Sequence, residues 1–330
     1  MSIRKDISFI TWMQMIGCLL VIIGHSYPFV MSVPAWALKL QVFIYDFHMP
    51  LFVWCSGYLM VATKQVEKYS FGEYAKRRAI HILIPYFTLS VIGIVPKLLL
   101  SAVLNDSFQA SDLLRAFLVP RESIWGHFWF LPMIFVLGVI GYGTMKMTIQ
   151  EGHWKIYSYM LLVVGTTLSF APTLTGWFAV NDIAHFFLYY MLGIVCGTRK
   201  IKGRCSVGRS FECVAISILL FVALDHSSIV QLLISLFMIW AVMEIAEVLA
   251  GRVQIDRKSI FTQTYSIFIL SWPCQLVVEI VLERLLECSF YVTFPCEVVV
   301  GVIVPLVIIK LIDLFEIRIH TNVLSMMIGR

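Results

Sequence analysis

Residues 4–26 read RKDISFITWMQMIGCLLVIIGHS, a basic pair followed by an apolar run that leads to a histidine. The run extends from Ile7 to Val30, and roughly 20 apolar residues are enough to cross the hydrocarbon core of a bilayer. It is longer than the apolar part of a secretory signal, and it lacks a small-residue cleavage pattern. We therefore interpret it as the first membrane-spanning helix.

The whole chain has the composition of a membrane protein. Of its 330 residues, 60% are hydrophobic and 14% are charged, and the mean hydropathy is +0.87. Soluble domains usually carry roughly 25% charged residues, so a water-soluble fold would leave much apolar surface in water. This excludes an ordinary soluble enzyme, and we expect residues 1–330 to form a single integral membrane domain.

Apolar stretches of spanning length occur ten times along the chain. They lie at residues 7–30, 40–62, 80–104, 127–147, 156–173, 182–198, 211–225, 228–249, 260–283 and 289–314. The predicted fold class is therefore all-α, a polytopic bundle of about ten transmembrane helices.

The basic residues predict the orientation of this bundle. With the N-terminus inside, 20 of the 25 Lys and Arg residues fall on the cytoplasmic side, as expected from the bias of these residues toward cytoplasmic loops. An even number of spans places both termini in the cytoplasm. Because the net charge of +5 sits in short loops between apolar runs, we expect contact with membrane lipid and no nucleic-acid partner.

Four histidines are predicted at the outer ends of helices. His25 closes the first span, His48 opens the second, His127 opens the fourth, and His185 opens the sixth together with Asp182. Imidazole can take a proton from a hydroxyl nucleophile and return one to a leaving group, as acyl transfer to an alcohol requires. The alternative is that water at the interface simply accommodates these rings, and His25, in an otherwise apolar helix, is the strongest candidate.

Histidines and cysteines are the residue types that most often bind metal ions in proteins. No two of these histidines have the i, i+4 spacing of a helical ligand pair, so we expect no metal. The eight cysteines contain no C-x-x-C pair and mostly fall in or beside the apolar stretches. We interpret them as small core residues rather than as metal ligands or disulfides.

A basic cluster, Lys76-Arg77-Arg78, leads into the third span on the cytoplasmic side. Guanidinium groups bind phosphate in bidentate fashion, so the cluster can hold a phosphorylated donor such as coenzyme A. The alternative is positive-inside bias with contact to anionic lipid. Both interpretations stay open at this point.

Several segments carry a family resemblance, and they occur in a fixed order. They are Gly24-His25-Ser26; Phe47-His48-Met49-Pro50-Leu51-Phe52 through Ser56-Gly57-Tyr58; Arg78 through Pro85-Tyr86; Trp129-Phe130-Leu131; His185 to Gly193; and Tyr265 to Pro273. With ten spans, this ordered set resembles the acyltransferase-3 family, the integral membrane acyltransferases that modify bacterial surface glycans, antibiotics and related hydroxyl acceptors. The resemblance covers most of the chain.

The resemblance implies an O-acyltransferase, most often an O-acetyltransferase, of the bacterial inner membrane. It implies transfer from acetyl-CoA or another cytoplasmic acyl-CoA to a hydroxyl of a polysaccharide or lipid-linked saccharide at the outer face. The catalytic residue is then His25, and Gln14, Arg77 and Arg78 bind the donor. Candidates for binding the acceptor are His48, His127, Trp129, Asp182 and His185.

The sequence departs from the family pattern at three positions. Gln14 stands where the family has an arginine, with ten residues between it and the histidine, and His81 and Ser271 stand where arginine and histidine are frequent. Gln14 retains hydrogen-bonding groups but supplies no charge. Two alternatives therefore stay open: a catalytically inactive family member, and a transporter or flippase for a lipid-linked glycan.

Overall fold

A computed structural model of the chain describes residues 2–27, 32–104, 118–122, 126–150, 154–253, 255, 259 and 262–330. Throughout these ranges the regular structure is helical, without a strand. The long helices are α1 Ser2–His25, α2 Ala35–Ala62, α4 Phe71–Leu104, α5 Phe130–Gln150, α6 Trp154–Ser169, α7 Val180–Arg199, α8 Val207–Ala223, α9 Ser228–Arg252, α10 Thr264–Glu279 and α11 Phe290–Ile319. The short helices are α3 Gln65–Lys68 and α12 Val323–Met327, and a π-helical segment, Ile280–Leu285, extends α10.

The helices confirm the predicted fold class. Each of the ten predicted apolar stretches overlaps one of the long helices. Seven helices in the described part of the chain are long and apolar enough to cross a membrane, and α6 is apolar but shorter. The all-α membrane bundle is thus confirmed, while the count of ten spans and the cytoplasmic termini stay predictions.

Helix α4 begins well before the predicted span, at Phe71 rather than near residue 80. The reason is a capping box. The Ser70 amide donates to Glu73 Oε2 at 2.9 Å, and the Glu73 amide donates back to Ser70 Oγ at 3.4 Å. The basic cluster therefore lies within the first turns of α4 and not in the preceding loop.

Two compact units make up the chain, and the division falls within α2, between Cys55 and Ser56. The first unit contains residues 1–55 and 200–321. In it, α1 packs against α9, α10 and α11, α8 pairs with α9, and α10 pairs with α11. Buried Phe47 packs with Val230, Ile234 and Met238, which anchors the first half of α2 to α9.

The second unit contains residues 56–199 and 322–330. In it, α5 packs against α4 and α7, α6 packs against α7, and α12 packs against α4. A side chain at Gly57 would overlap the Tyr190 carbonyl. Because glycine has no side chain, α2 and α7 can come into backbone contact here. The rings of Tyr74 and Tyr142 stack at 4.7 Å between α4 and α5.

Helix α11 exposes a continuous apolar face. Val299, Ile303, Val307 and Leu311 repeat at four-residue spacing, and each is about half exposed. Residues four apart lie on one side of a helix. In a membrane protein such a face contacts lipid, because the acyl chains are as apolar as the side chains.

Candidate functional site

His25 is the last residue of α1, and its position depends on a close approach of α2. A Cβ built at Gly24 would lie 2.9 Å from a ring carbon of Tyr45, so a larger residue at this position would force the tyrosine ring to shift. The Tyr45 hydroxyl lies 3.3 Å from His25 Nδ1. The small residue before the histidine thus permits a hydrogen bond between the two helices.

His48 joins these two rings and completes a three-ring cluster. Its ring centroid lies 6.4 Å from that of His25 and 5.1 Å from that of Tyr45. His48 Nδ1 lies 2.8 Å from the Ile44 carbonyl, and a carbonyl only accepts, so Nδ1 carries a proton. In the neutral imidazole, Nε2 of His48 is then the hydrogen-bond acceptor.

Two glutamine side chains hold the end of α1. Gln275 Nε2 donates to the Ile22 carbonyl at 2.9 Å and to Ser26 Oγ at 2.7 Å, and Gln41 Nε2 donates to the Gly24 carbonyl at 3.1 Å. The last carbonyls of a helix have no partner within the helix. These amides satisfy two of them, those of Ile22 and Gly24, and thereby orient the turn that carries His25.

A buried carboxylate fixes the same region of α2. Asp46 is 2% exposed, and its Oδ1 and Oδ2 accept from His226 Nε2 at 2.9 and 3.0 Å. Ser235 Oγ donates to the Asp46 carbonyl at 2.6 Å. The segment of α2 that carries Tyr45 and His48 is therefore tied to α9 and to the loop before it.

Gln14 lies in the same unit as the three-ring cluster, half-buried on α1. It precedes His25 by eleven residues, which corresponds to roughly 16 Å of helix at about 1.5 Å per residue. The two positions thus span about half of a hydrocarbon core of about 30 Å.

The two arginines predicted to bind the donor have different surroundings in the second unit. Arg78 is half-buried, and its Nη2 donates to Ser56 Oγ at 3.0 Å and to the Ile134 carbonyl at 2.8 Å. Gly138 leaves room for its guanidinium, which a side chain there would overlap. Its Nε is buried and has no hydrogen-bond partner in the part of the chain that the structure describes.

Arg77, by contrast, faces a cavity. Its guanidinium lies 4.6 Å from the centroid of the Tyr69 ring. It lines a cavity of about 670 Å³ together with Lys76 and His81 among others. Arg78 is therefore inserted among helices, where ionisable groups are functional candidates. Arg77 lies at the wall of the cavity.

Three of the predicted acceptor-binding residues form a second cluster in this unit. Asp182 accepts from Arg121 Nε at 2.9 Å and from its Nη2 at 2.6 Å, and the same guanidinium lies 4.1 Å from the Trp129 ring centroid. Phe186 contacts both the Trp129 ring and the His185 ring, with centroids 5.5 and 5.2 Å away. The side chain of His127 lies outside the described residues.

Sequence reasoning missed five of the residues that build these clusters. Gln41, Tyr45 and His48 follow an i, i+4, i+7 pattern and so share one face of α2, and this signal was present in the sequence. Asp46 and Gln275 were visible as polar residues inside apolar stretches. Arg121 carried no local signal, since its partner is distant along the chain.

The three-ring cluster has the parts of a general-base site. When His25 Nδ1 carries the proton, it donates to the Tyr45 hydroxyl, and Nε2 then has a lone pair that can take a proton. A base held by a third group is the arrangement found in nucleophile-activating sites.

Comparison with known proteins gives one match. No curated protein and no solved structure matches the chain. The model of the acyltransferase-3 family, which is described as an acyltransferase domain, matches residues 7–313 and so runs through both units. The chain therefore belongs to the acyltransferase-3 family and is a membrane acyltransferase.

Proposed function

We propose that the protein is an O-acyltransferase of the bacterial inner membrane. It takes an acyl group, acetyl as the first candidate, from a cytoplasmic acyl-CoA. It transfers the group to a hydroxyl of a polysaccharide or lipid-linked saccharide at the outer face. The family supports acyl transfer in a membrane protein, and the donor, the acceptor and the direction across the membrane are the proposed parts.

The observation that carries the proposal is the hydrogen bond between His25 and Tyr45 at the end of α1. It orients an imidazole at the end of an apolar helix, next to a second histidine. Acyl transfer to an alcohol needs one base at the hydroxyl and one acid at the leaving thiolate. His25 can perform both steps in sequence.

The proposed reaction transfers one proton to His25 and one proton from it. The acceptor hydroxyl gives its proton to His25 Nε2 while its oxygen attacks the carbonyl carbon of the thioester. The carbon–sulfur bond breaks, and the coenzyme A thiolate takes the proton from the imidazolium. The products are an ester and free coenzyme A, and the step uses no metal.

The donor residues in this proposal are Arg77, Arg78 and Gln14. Arg78 supplies a positive charge to the donor arm from its place among the helices, and Arg77 offers its guanidinium to phosphate. Gln14 provides an amide in place of the family arginine along α1.

The acceptor residues are His48 in the first unit and the Trp129, Asp182 and His185 cluster in the second, with His127 as a further candidate. Since His48 Nδ1 donates to a carbonyl, its Nε2 can accept a hydrogen bond from a sugar hydroxyl. The aromatic and polar groups of the second cluster are of the types that bind saccharides through stacking and hydrogen bonds.

Mass spectrometry of surface glycans tests the proposal. Cells would carry the wild-type protein, His25→Ala, Gln14→Arg or, as a histidine control outside the site, His320→Asn. We expect the ester-linked acyl group to disappear in His25→Ala and to remain in His320→Asn at equal protein levels. The mass lost would identify the acyl group.

Other outcomes distinguish the alternatives. Identical glycans in all four strains would overturn the acyltransferase proposal for this chain. Acylation that appears only with Gln14→Arg would identify the natural protein as inactive. Loss of the entire saccharide from the surface, rather than of its ester, would favour a flippase.

A further inference from the structure

Three buried carboxylates lie together in the first unit, where α10 and α11 pair. Glu297 of α11 is 2% exposed, and Glu279 and Glu283, each 6% exposed, act on it electrostatically. Glu279 ends α10, and Glu283 lies in the π-helical segment, a geometry that is frequent at functional sites. Because like charges repel and a buried carboxylate is costly to ionise, a bound cation would stabilise this arrangement.

Four buried polar atoms in this part of the first unit have no hydrogen-bond partner within the part of the chain that the structure describes. They are Tyr27 Oη, Gln275 Oε1, Thr293 Oγ1 and Glu297 Oε1. Their residues are at most 6% exposed, and buried polar groups in native proteins are nearly always paired with protein, water or ligand. The amide and carboxylate oxygens only accept, so their partner must be a hydrogen-bond donor.

The side of α11 that carries Glu297 faces the interior of the first unit. Glu297 and Gly301 are four residues apart and therefore share one side of the helix. A Cβ built at Gly301 would lie 2.8 Å from Ile22 and 3.0 Å from Gln275, so this side packs against α1 and α10. The half-exposed apolar face of α11 points the other way, because Val299 follows Glu297 by two residues, about 200° around the helix.

This group of polar atoms adjoins the three-ring cluster. The amide of Gln275 holds the turn that follows His25, and its oxygen is one of the four unpaired atoms. The Tyr27 ring centroid lies 5.4 Å from that of Phe294, which precedes Glu297 on α11 by three residues. Tyr27 and Tyr45 are close enough to interact electrostatically. A ligand bound at the four atoms would therefore lie beside the proposed base.

We propose that Glu297 binds a primary ammonium group, with Tyr27, Gln275 and Thr293 as its further contacts, and that the acceptor saccharide carries this group as an amino sugar. The assignment to the acceptor rests on the proposed function. An ammonium group offers three N–H donors and a positive charge, and charge-assisted hydrogen bonds are the stronger ones.

Two other cations fit the site less well. Among the described residues, no three Asp, Glu, His or Cys side chains are arranged to hold a metal ion, which favours an organic cation. The headgroup of phosphatidylethanolamine also carries a primary ammonium group. It would approach the protein from the lipid-facing side of α11, whereas Glu297 lies on the opposite side.

Binding of two matched oligosaccharides tests the site. The probes are a tetramer of glucosamine and its fully N-acetylated form, which lacks the positive charges. Full-length protein would be titrated calorimetrically in nanodiscs of phosphatidylcholine. Wild-type protein should bind the glucosamine tetramer about tenfold more tightly or better, the effect expected of one charge-assisted hydrogen bond.

Glu297→Gln should abolish this preference. The variant keeps the shape of the side chain and relieves repulsion from Glu279 and Glu283, so its melting temperature should not fall. Glu287→Gln, at an exposed position after the π-helical segment, is the matched control and should retain the preference. Thr293→Val, which replaces the hydroxyl by a methyl group, should weaken binding of the glucosamine tetramer about fivefold.

Three results would overturn the ammonium site. They are equal binding of the two oligosaccharides by wild-type protein, no binding of either, and a preference that survives in Glu297→Gln. Nanodiscs that contain phosphatidylethanolamine cover the lipid source. A rise in melting temperature with this lipid that is lost in Glu297→Gln, without any preference between the oligosaccharides, would make the site a headgroup site and overturn the acceptor assignment.

Failure of the proposed function gives a different result. If surface glycans are unchanged in His25→Ala while the glucosamine tetramer still binds in a Glu297-dependent manner, acyl transfer fails and the ammonium site stands. If the ester disappears in His25→Ala while both oligosaccharides bind equally, acyl transfer stands and the ammonium site fails.

Discussion

Tyr45 is the side chain that would orient the His25 ring in the proposed reaction. Its hydroxyl lies within hydrogen-bond distance of both His25 Nδ1 and Gln41 Nε2, at 3.3 and 3.5 Å. The phenol is 39% exposed, so the bond is open to competition from water. This hydrogen bond should therefore contribute only modestly to the orientation of the His25 ring.

Tyr45→Phe should lower kcat for acyl transfer about fivefold with little change in KM. The variant keeps the ring that packs on Gly24 and His48 and removes only the hydroxyl that holds the His25 tautomer, worth about 1 kcal/mol. The measurement is the rate of acyl transfer by purified protein. Tyr291→Phe, on an exposed ring of α11, is the control. A kcat equal to that of wild type would remove Tyr45 from the site.

Asp46 acts on the site through stability rather than chemistry. Its carboxylate is buried, whereas the His226 side chain is 46% exposed, so solvent weakens the pair. Asp46→Asn should reduce the free energy of unfolding by about 1–2 kcal/mol, because it removes one charged partner of a hydrogen bond. Thermal unfolding of the purified protein measures this. Asp225→Asn, on the exposed residue next to His226, should have no effect, and equal melting temperatures for both variants would contradict the assignment.

At the scale of elements, helix boundaries decide which side chains face each other. Apolar periodicity alone placed the third span near residue 80, while the capping box starts α4 at Phe71. Since Lys76 and Arg77 then lie on a helix, their spacing from Glu73 is set by helical geometry rather than by a loop. The position of Arg77 at the cavity wall depends on this earlier start.

Ser70→Ala should fray the first turn of α4 and cost about 1 kcal/mol. The Ser70 hydroxyl accepts from the Glu73 amide, and its loss leaves that donor without its cap. Amide hydrogen exchange at residues 71–78 should accelerate, and coenzyme A affinity should fall if the cavity binds the donor. Ser228→Ala, at the exposed first residue of α9, provides the comparison. Exchange that is unchanged in α4 would show that the cap is dispensable.

At the scale of the whole molecule, the exposed apolar faces of the helices are those expected of a protein surrounded by lipid. The number of spans and their direction still rest on the distribution of Lys and Arg. Two native cysteines fall in loops that the prediction places on opposite sides. Cys205 precedes α8 on the predicted cytoplasmic side, and Cys288 precedes α11 on the predicted outer side.

Single-cysteine variants that retain either Cys205 or Cys288 can check this topology. In intact spheroplasts, a membrane-impermeant maleimide should label the variant with Cys288 and should label the one with Cys205 only after permeabilisation. The physical basis is the retention of positive loops on the cytoplasmic side. A cysteine-free protein controls for background. Labelling of both cysteines from the same side would refute the predicted arrangement.

The sequence alone determined the environment, the fold class and the main candidate residues. Apolar runs of spanning length require helices in a bilayer, because every backbone polar group must be satisfied within the chain. His25 was the strongest candidate because an ionisable residue in a membrane span costs free energy, so such residues mark functional sites. The order of apolar and polar residues within each stretch was sufficient for these conclusions, because they depend only on residues close together in the sequence.

The tertiary structure alone decided which distant residues meet. Tyr45 comes to His25 because Gly24 lets α2 approach, Asp182 pairs with an arginine 61 positions away, and Gln275 reaches the Ile22 carbonyl from α10. Such contacts arise from helix packing and are not encoded in any single segment. The sequence therefore specified the chemical groups, and the fold determined which of them are in contact.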